Sequence, residues 1–168
     1  MDPDHEKDNP LPHYMTKDQA DIIANWVKEG GVLVLMANDS ANCDLTHFNL
    51  LASKFGIRFT DKSVNMVKGN AFETGNVITT SSSPLGHAGL KMYLKEVSAL
   101  EVTAPAQTIA SNGSDNVIAV ASHGKGTVVA IGDPWLYNEY VDGRKLPIVF
   151  ENFEAAKNLA QWLLTKAK

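Results

Sequence analysis

Residues 30–43 read Gly-Gly-Val-Leu-Val-Leu-Met-Ala-Asn-Asp-Ser-Ala-Asn-Cys, and the six apolar residues from position 32 to 37 decide how the chain folds. So short and so continuously apolar a run lacks the stripe of a surface helix. It reads as a central strand covered on both faces. Before it, Thr16 and Gln19 have capping-box spacing and open a predicted helix over 17–29, with Ile22, Ile23, Trp26 and Val27 on its apolar side. Gly30-Gly31 ends that helix. After the run comes a polar loop, and Asp44 caps a second predicted helix over 45–55, with Leu45, Phe48, Leu51, Ala52 and Phe55 on one face. Gly56 stops it and Ile57-Arg58-Phe59 follows. Helix, buried strand, helix and strand in succession is the rhythm of a wound α/β sheet.

The middle of the chain changes character. Short β-type runs occur at 77–80, 108–110, 117–121 and 127–131, separated by clusters of Ser, Asn, Gly and Pro. The last two, joined by Ser122-His123-Gly124-Lys125-Gly126, predict an antiparallel hairpin. A closing helix over 153–166 buries Phe153, Ala156, Leu159, Ala160 and Leu163. The first 15 residues are acidic and carry Pro3, Pro10 and Pro12, which predicts an irregular arm before one domain over 16–168.

Composition narrows the function. The 168 residues carry a net charge of −4, which argues against a nucleic-acid partner. No apolar run approaches the ~18 residues of a membrane span. Cys43 is alone and the five histidines are scattered, so neither a disulfide nor a metal site is expected. No glycine fingerprint for a nucleotide cofactor is present, and no cofactor is expected.

In a parallel sheet, ligands gather at the carboxyl ends of the strands. Two polar loops would leave the sheet there: one holds Asn38 and Asp39, the other Asp133, Trp135, Tyr137, Asn138, Glu139 and Tyr140. If their strands run parallel, the loops share a rim. Carboxylates and amides for hydroxyls, with aromatic rings for apolar faces, are a suitable kit for an oligosaccharide. The competing reading has Asp133 capping the turn after it and the aromatics packing beneath the loop. Asp39 and Asp133 also supply the two acids that glycoside hydrolysis requires. Cys43 is the candidate nucleophile, but a nucleophile elbow needs glycines two residues to either side, where this chain has Ala41 and Leu45. No His-x-Glu pair follows to activate it.

Three stretches carry a family resemblance: DQADIIANWVKEGGVLVLMANDSANCDLTHFNLLASKFGIRF, HGKGTVVAIGDPWLYNEYVDGRKLP and FENFEAAKNLAQWLL. They resemble the glutamine-amidotransferase-like accessory domain of bacterial unsaturated rhamnogalacturonyl hydrolases, glycoside hydrolase families 105 and 88. The resemblance implies a three-layer, mostly parallel, flavodoxin-like α/β sheet with helices on both faces. It also implies a non-catalytic role beside a catalytic barrel that acts on pectin fragments: structural, dimerising or carbohydrate-contacting. A periplasmic or extracytoplasmic setting goes with it. Such domains start with a further strand and helix, so one sheet position is expected to stand unfilled. Two alternatives remain: a small hydrolase or amidotransferase relative using Cys43, and a protein-interaction module that self-associates along a bare sheet edge.

Overall fold

The computed structural model describes residues 13–81, 83–138, 141 and 145–167. Of the arm expected over 1–15, residues 1–12 lie outside the described residues. The elements in order are α1 (Lys17–Lys28), β1 (Val32–Met36), α2 (Leu45–Ala52), β2 (Ile57–Val64), β3 (Asn76–Thr79), β4 (Lys91–Tyr93), β5 (Val97–Val102), β6 (Gln107–Asn112), β7 (Asp115–His123), β8 (Gly126–Ile131) and α3 (Asn152–Lys166). The capping box opens α1: Thr16 Oγ1 accepts from the Gln19 N–H at 3.2 Å, and Gln19 Oε1 accepts from the Thr16 N–H at 2.9 Å. The Asp44 carboxylate accepts from the His47 N–H at 3.2 Å and starts α2.

The eight strands form one mixed sheet in the order β1-β8-β7-β6-β3-β4, with β5 joining β7 and carrying β2. Among the described residues only β1 and β8 pair in parallel; the other pairings are antiparallel. This overturns the expected three-layer, mostly parallel α/β sheet. The molecule is a mostly strand-based mixed sheet, curled into a half-barrel with few helices. The physical reason lies in the connections. Parallel neighbours need a crossover of a dozen or more residues, yet β6 turns into β7 through Gly113-Ser114 and β7 into β8 through Gly124-Lys125. Turns that short return the chain antiparallel. Nor is the run beginning at Val32 a central strand, because β1 ends the sheet. Its apolar character reflects faces that are half-covered.

Alternate side chains of the sheet feed two cores. Val128 and Ala130 face one, with Val27 of α1, Leu51 of α2, Phe55 and Phe59. Val129 and Ile131 face the other, with Val117, Met92, Leu136 and Leu159 of α3. Full burial of a side chain such as Leu159 contributes roughly 1.5–3 kcal/mol.

At one point the sheet forks. The Gly132 N–H donates to the Val117 carbonyl at 2.9 Å, and the Gly132 carbonyl accepts from the Ser98 N–H at 3.0 Å. The residue after β8 is thereby held between β7 and β5. A Cβ there would lie 2.1 Å from the Ser98 carbonyl oxygen, so only glycine fits.

Two outer strands are finished by amide side chains. Asn152, at the start of α3, accepts from the Tyr93 N–H and donates to the Tyr93 carbonyl, both at 2.8 Å, on the open side of β4. Asn49 of α2 makes the same pair of 2.8 Å bonds to Phe59 on β2. Each asparagine does what a neighbouring strand would do.

Candidate functional site at the carboxyl rim of β1 and β8

Because β1 and β8 are parallel and in register, Met36 beside Ile131, their chains leave the sheet side by side. Asn38 Oδ1 accepts from the Asp39 N–H at 2.7 Å, and Asn42 Nδ2 donates to Asp39 Oδ1 at 2.7 Å. Ser63, near the end of β2, points its hydroxyl at Asp39 Oδ2 from 3.5 Å. The fork therefore brings β2 to the same rim.

Asp133 starts a 3-10 turn over Pro134–Tyr137, and its Oδ1 accepts from the Trp135 N–H at 2.7 Å. The residue is wholly buried, and among the described residues no group hydrogen-bonds its Oδ2. Burial drives the carboxyl up to about 8; the Trp135 N–H opposes this, Asp39 and Glu96 reinforce it, and Lys95 acts weakly against it. Asp133 is thus a neutral acid at pH 7. It caps a turn, as the competing reading held.

The remaining expected site residues divide. Asn38 and Asp39 are half-buried at the rim beside Asp133. Trp135 packs against the α3 core, with Lys95 Nζ 5.8 Å from its ring centroid. The Tyr137 hydroxyl donates to the Ala156 carbonyl of α3 at 3.2 Å, and burial raises its pKa. Asn138 is half-buried and its N–H donates to the Trp135 carbonyl at 3.4 Å. Glu139 and Tyr140 lie outside the described residues. Of the aromatic surfaces expected to receive a sugar, Trp135 packs against the α3 core, whereas Tyr137 stays 42% exposed. A wholly buried Asp133 also has no path to a glycosidic oxygen.

Cys43 is 8% exposed and packs in the core beneath α1 and α2. It borders an open hollow of about 400 Å³ together with Asp44, His47 and Asp61. His47 does not serve it: its Nδ1 lies 2.5 Å from Asp44 Oδ2 and its ring stacks on Tyr14 at 4.3 Å. Among the described residues no hydrogen bond joins the thiol to a histidine, and no group of three or more His, Cys, Asp or Glu is arranged to hold a metal ion.

Sequence reading missed Ser63, Lys95 and Glu96. Ser63 reaches the rim through the pairing of β2 with β5, and Lys95 and Glu96 through the turn that leads into β5. That turn is strained, since Asn65 and Glu96 have φ of 60° and 55° and are joined by a 3.1 Å bond from the Glu96 N–H to the Asn65 carbonyl.

Fold and rim together define a small mixed-sheet domain whose polar rim is largely bonded to itself. No family model matches the chain, and no curated protein matches it in sequence. Solved structures do match its fold. It is similar to the N-terminal domain of mmIFT52, with a TM-score of 0.67 and 18% identity over 89% of this chain and 72% of that one. It is similar to cytoplasmic protein STM1381 from Salmonella typhimurium LT2, with a TM-score of 0.61 and 16% identity over 98% and 66%. A β-galactosidase from Bacillus circulans sp. alkalophilus matches with a TM-score of 0.53 and 13% identity, over 89% of this chain and 21% of that one. At these identities the likeness shows the fold alone.

These neighbours overturn the resemblance to the glutamine-amidotransferase-like accessory domain. The neighbours named above are neither glutamine amidotransferases nor flavodoxin-like proteins, and nothing ties the chain to glycoside hydrolase family 105. The stretches behind that resemblance encode a glycine-ended helix, an apolar strand and a hairpin turn. Those are local solutions open to many folds.

Proposed function

We propose that this domain is a non-catalytic assembly module, contributing structure and a docking edge to a larger protein or complex. The observation that carries the reading is the condition of the rim, where the groups best suited to chemistry are spent inside the fold. Asp133 is buried and protonated, Asp39 is held by Asn42 and Ser63, and Tyr137 is tied to α3. Further support comes from neighbours that carry this fold as one piece of a longer chain: an N-terminal domain in one, about a fifth of the polypeptide in another. Light scattering on the native full-length polypeptide tests the reading. It should run as an assembly larger than one polypeptide, and a single polypeptide at its working concentration would sink the idea.

The β-galactosidase likeness favours a second reading, in which the larger protein is a glycoside hydrolase and this domain lies beside its catalytic barrel. Turnover of chromogenic glycosides by the full-length polypeptide is then expected. Its absence across a panel of sugars removes that reading and leaves the first.

A further inference from the structure

The strand β1 lacks the finish that β4 and β2 have. The Gly31 carbonyl accepts from the Thr127 N–H at 3.1 Å, and the Ala37 N–H donates to the Ile131 carbonyl at 3.4 Å. The odd-numbered residues of β1 therefore turn their backbone groups toward β8. Alternation along the strand turns the N–H and C=O of Val32, Val34 and Met36 the other way, out of the sheet. Among the described residues none bonds to these six groups. Proteins shield such an edge with charge, proline or a bulge, and Val-Leu-Val-Leu-Met has none of them. Apolar surface adjoins it: Met36 is 40% exposed, and the 53% exposed Trp26 lays its ring against Gly31 at the start of the strand.

Three donors and three acceptors repeating every second residue are matched by another extended strand. The sequence of β1 is matched to itself. In an antiparallel pair with a two-fold axis at Val34, Val34 faces Val34 and Val32 faces Met36 in both directions. These three pairs are then of the hydrogen-bonded kind, giving six bonds and leaving no outward group of the strand unmet. Leu33 comes opposite Leu35 of the second copy. An axis at Leu33 or Leu35 leaves Met36 or Val32 without a strand partner, so the Val34 register is favoured.

We propose that the chain forms a two-fold dimer in which the β1 strands of two copies pair antiparallel about Val34, making one continuous sheet. The proposal rests on the assembly reading above and names the partner at this edge as a second copy.

Sedimentation velocity on the purified chain, from low micromolar to submillimolar concentration, tests it together with hydrogen exchange. The expected species has twice the 18.2 kDa of one chain. The amides of Val34 and Met36 should exchange slowly at high concentration and quickly on dilution. Val34→Pro removes an outward N–H while sparing the bonds to β8, and should weaken dimerisation at least ~tenfold. Val34→Lys places a charge at the seam and should do the same; it carries the test if the proline variant fails to fold. A chain that sediments as a monomer throughout overturns the pairing. So does a dimer that persists in both variants, or one in which those amides exchange freely. None of these outcomes decides the assembly reading, which stands or falls on the light scattering of the native full-length polypeptide.

Discussion

Asp133 shows how one buried group couples stability to pH. In the unfolded chain its carboxyl ionises near 3.8, whereas in the fold it holds its proton up to about pH 8. Between those values the folded state binds the extra proton, so this group lowers stability as pH rises through the window, and the loss is constant above it. Asparagine cannot ionise but keeps an acceptor for the Trp135 N–H. Asp133→Asn is therefore expected to gain on the parent from pH 5 to pH 9, by a few kcal/mol at the upper end. Urea titrations at pH 5, 7 and 9 read this directly, and parallel curves for the two proteins would contradict the assignment. Gly132 gives the opposite case. Gly132→Ala drives a methyl into the Ser98 carbonyl and should cost at least ~2 kcal/mol, visible as a lower denaturation midpoint. Neither residue stood out in the sequence for this reason. Asp133 was legible as a rim residue, but its burial is set by β5 and the turn at Glu96. The need for glycine at 132 arises from Ser98, which is distant along the chain.

Among the elements, the asparagines that complete β4 and β2 carry the clearest expectation. Asn152 is buried, and its removal leaves the Tyr93 N–H and carbonyl unbonded away from water. Asn152→Ala should cost about 2–3 kcal/mol. Asn49→Ala, at a half-buried position, should cost about half as much in the same chemical denaturation series. Each variant also uncovers a strand edge, so light scattering on heating should rise sooner than in the parent. Helix starts were legible, whereas β4 and β5 were not: the capping box at Thr16 and the carboxylate at Asp44 begin the first two helices, and α3 starts within one residue of its expected position. Caps and periodicity act over a few residues, which a sequence displays. The amide clasps could not be read, because Asn49 and Asn152 look like ordinary helix residues until a strand lies beside them.

At the scale of the molecule, the apolar run from Val32 reads as the centre of the sheet, whereas β1 ends it. An apolar run fits a strand covered on both faces and also an outer strand whose surface awaits a neighbour. Sequence periodicity cannot separate the two. The hairpin of β7 and β8 was better signposted, since a two-residue turn allows only antiparallel return. The fork at Gly132 joins segments far apart in sequence and left no local trace. It is also what brings Ser63 to Asp39 and thereby gives the rim its third wall.

The parallel pairing of β1 with β8 has a consequence for synthesis. About 95 residues separate Val32 from its ladder partner Thr127. At roughly 5–20 residues per second, a ribosome delivers the second strand ~5–20 s after the first. Through that interval the nascent Val-Leu-Val-Leu-Met segment is bare on both sides, so chaperone crosslinking to stalled chains should be strong when synthesis stops before Gly126 and fall once Ile131 has left the exit tunnel.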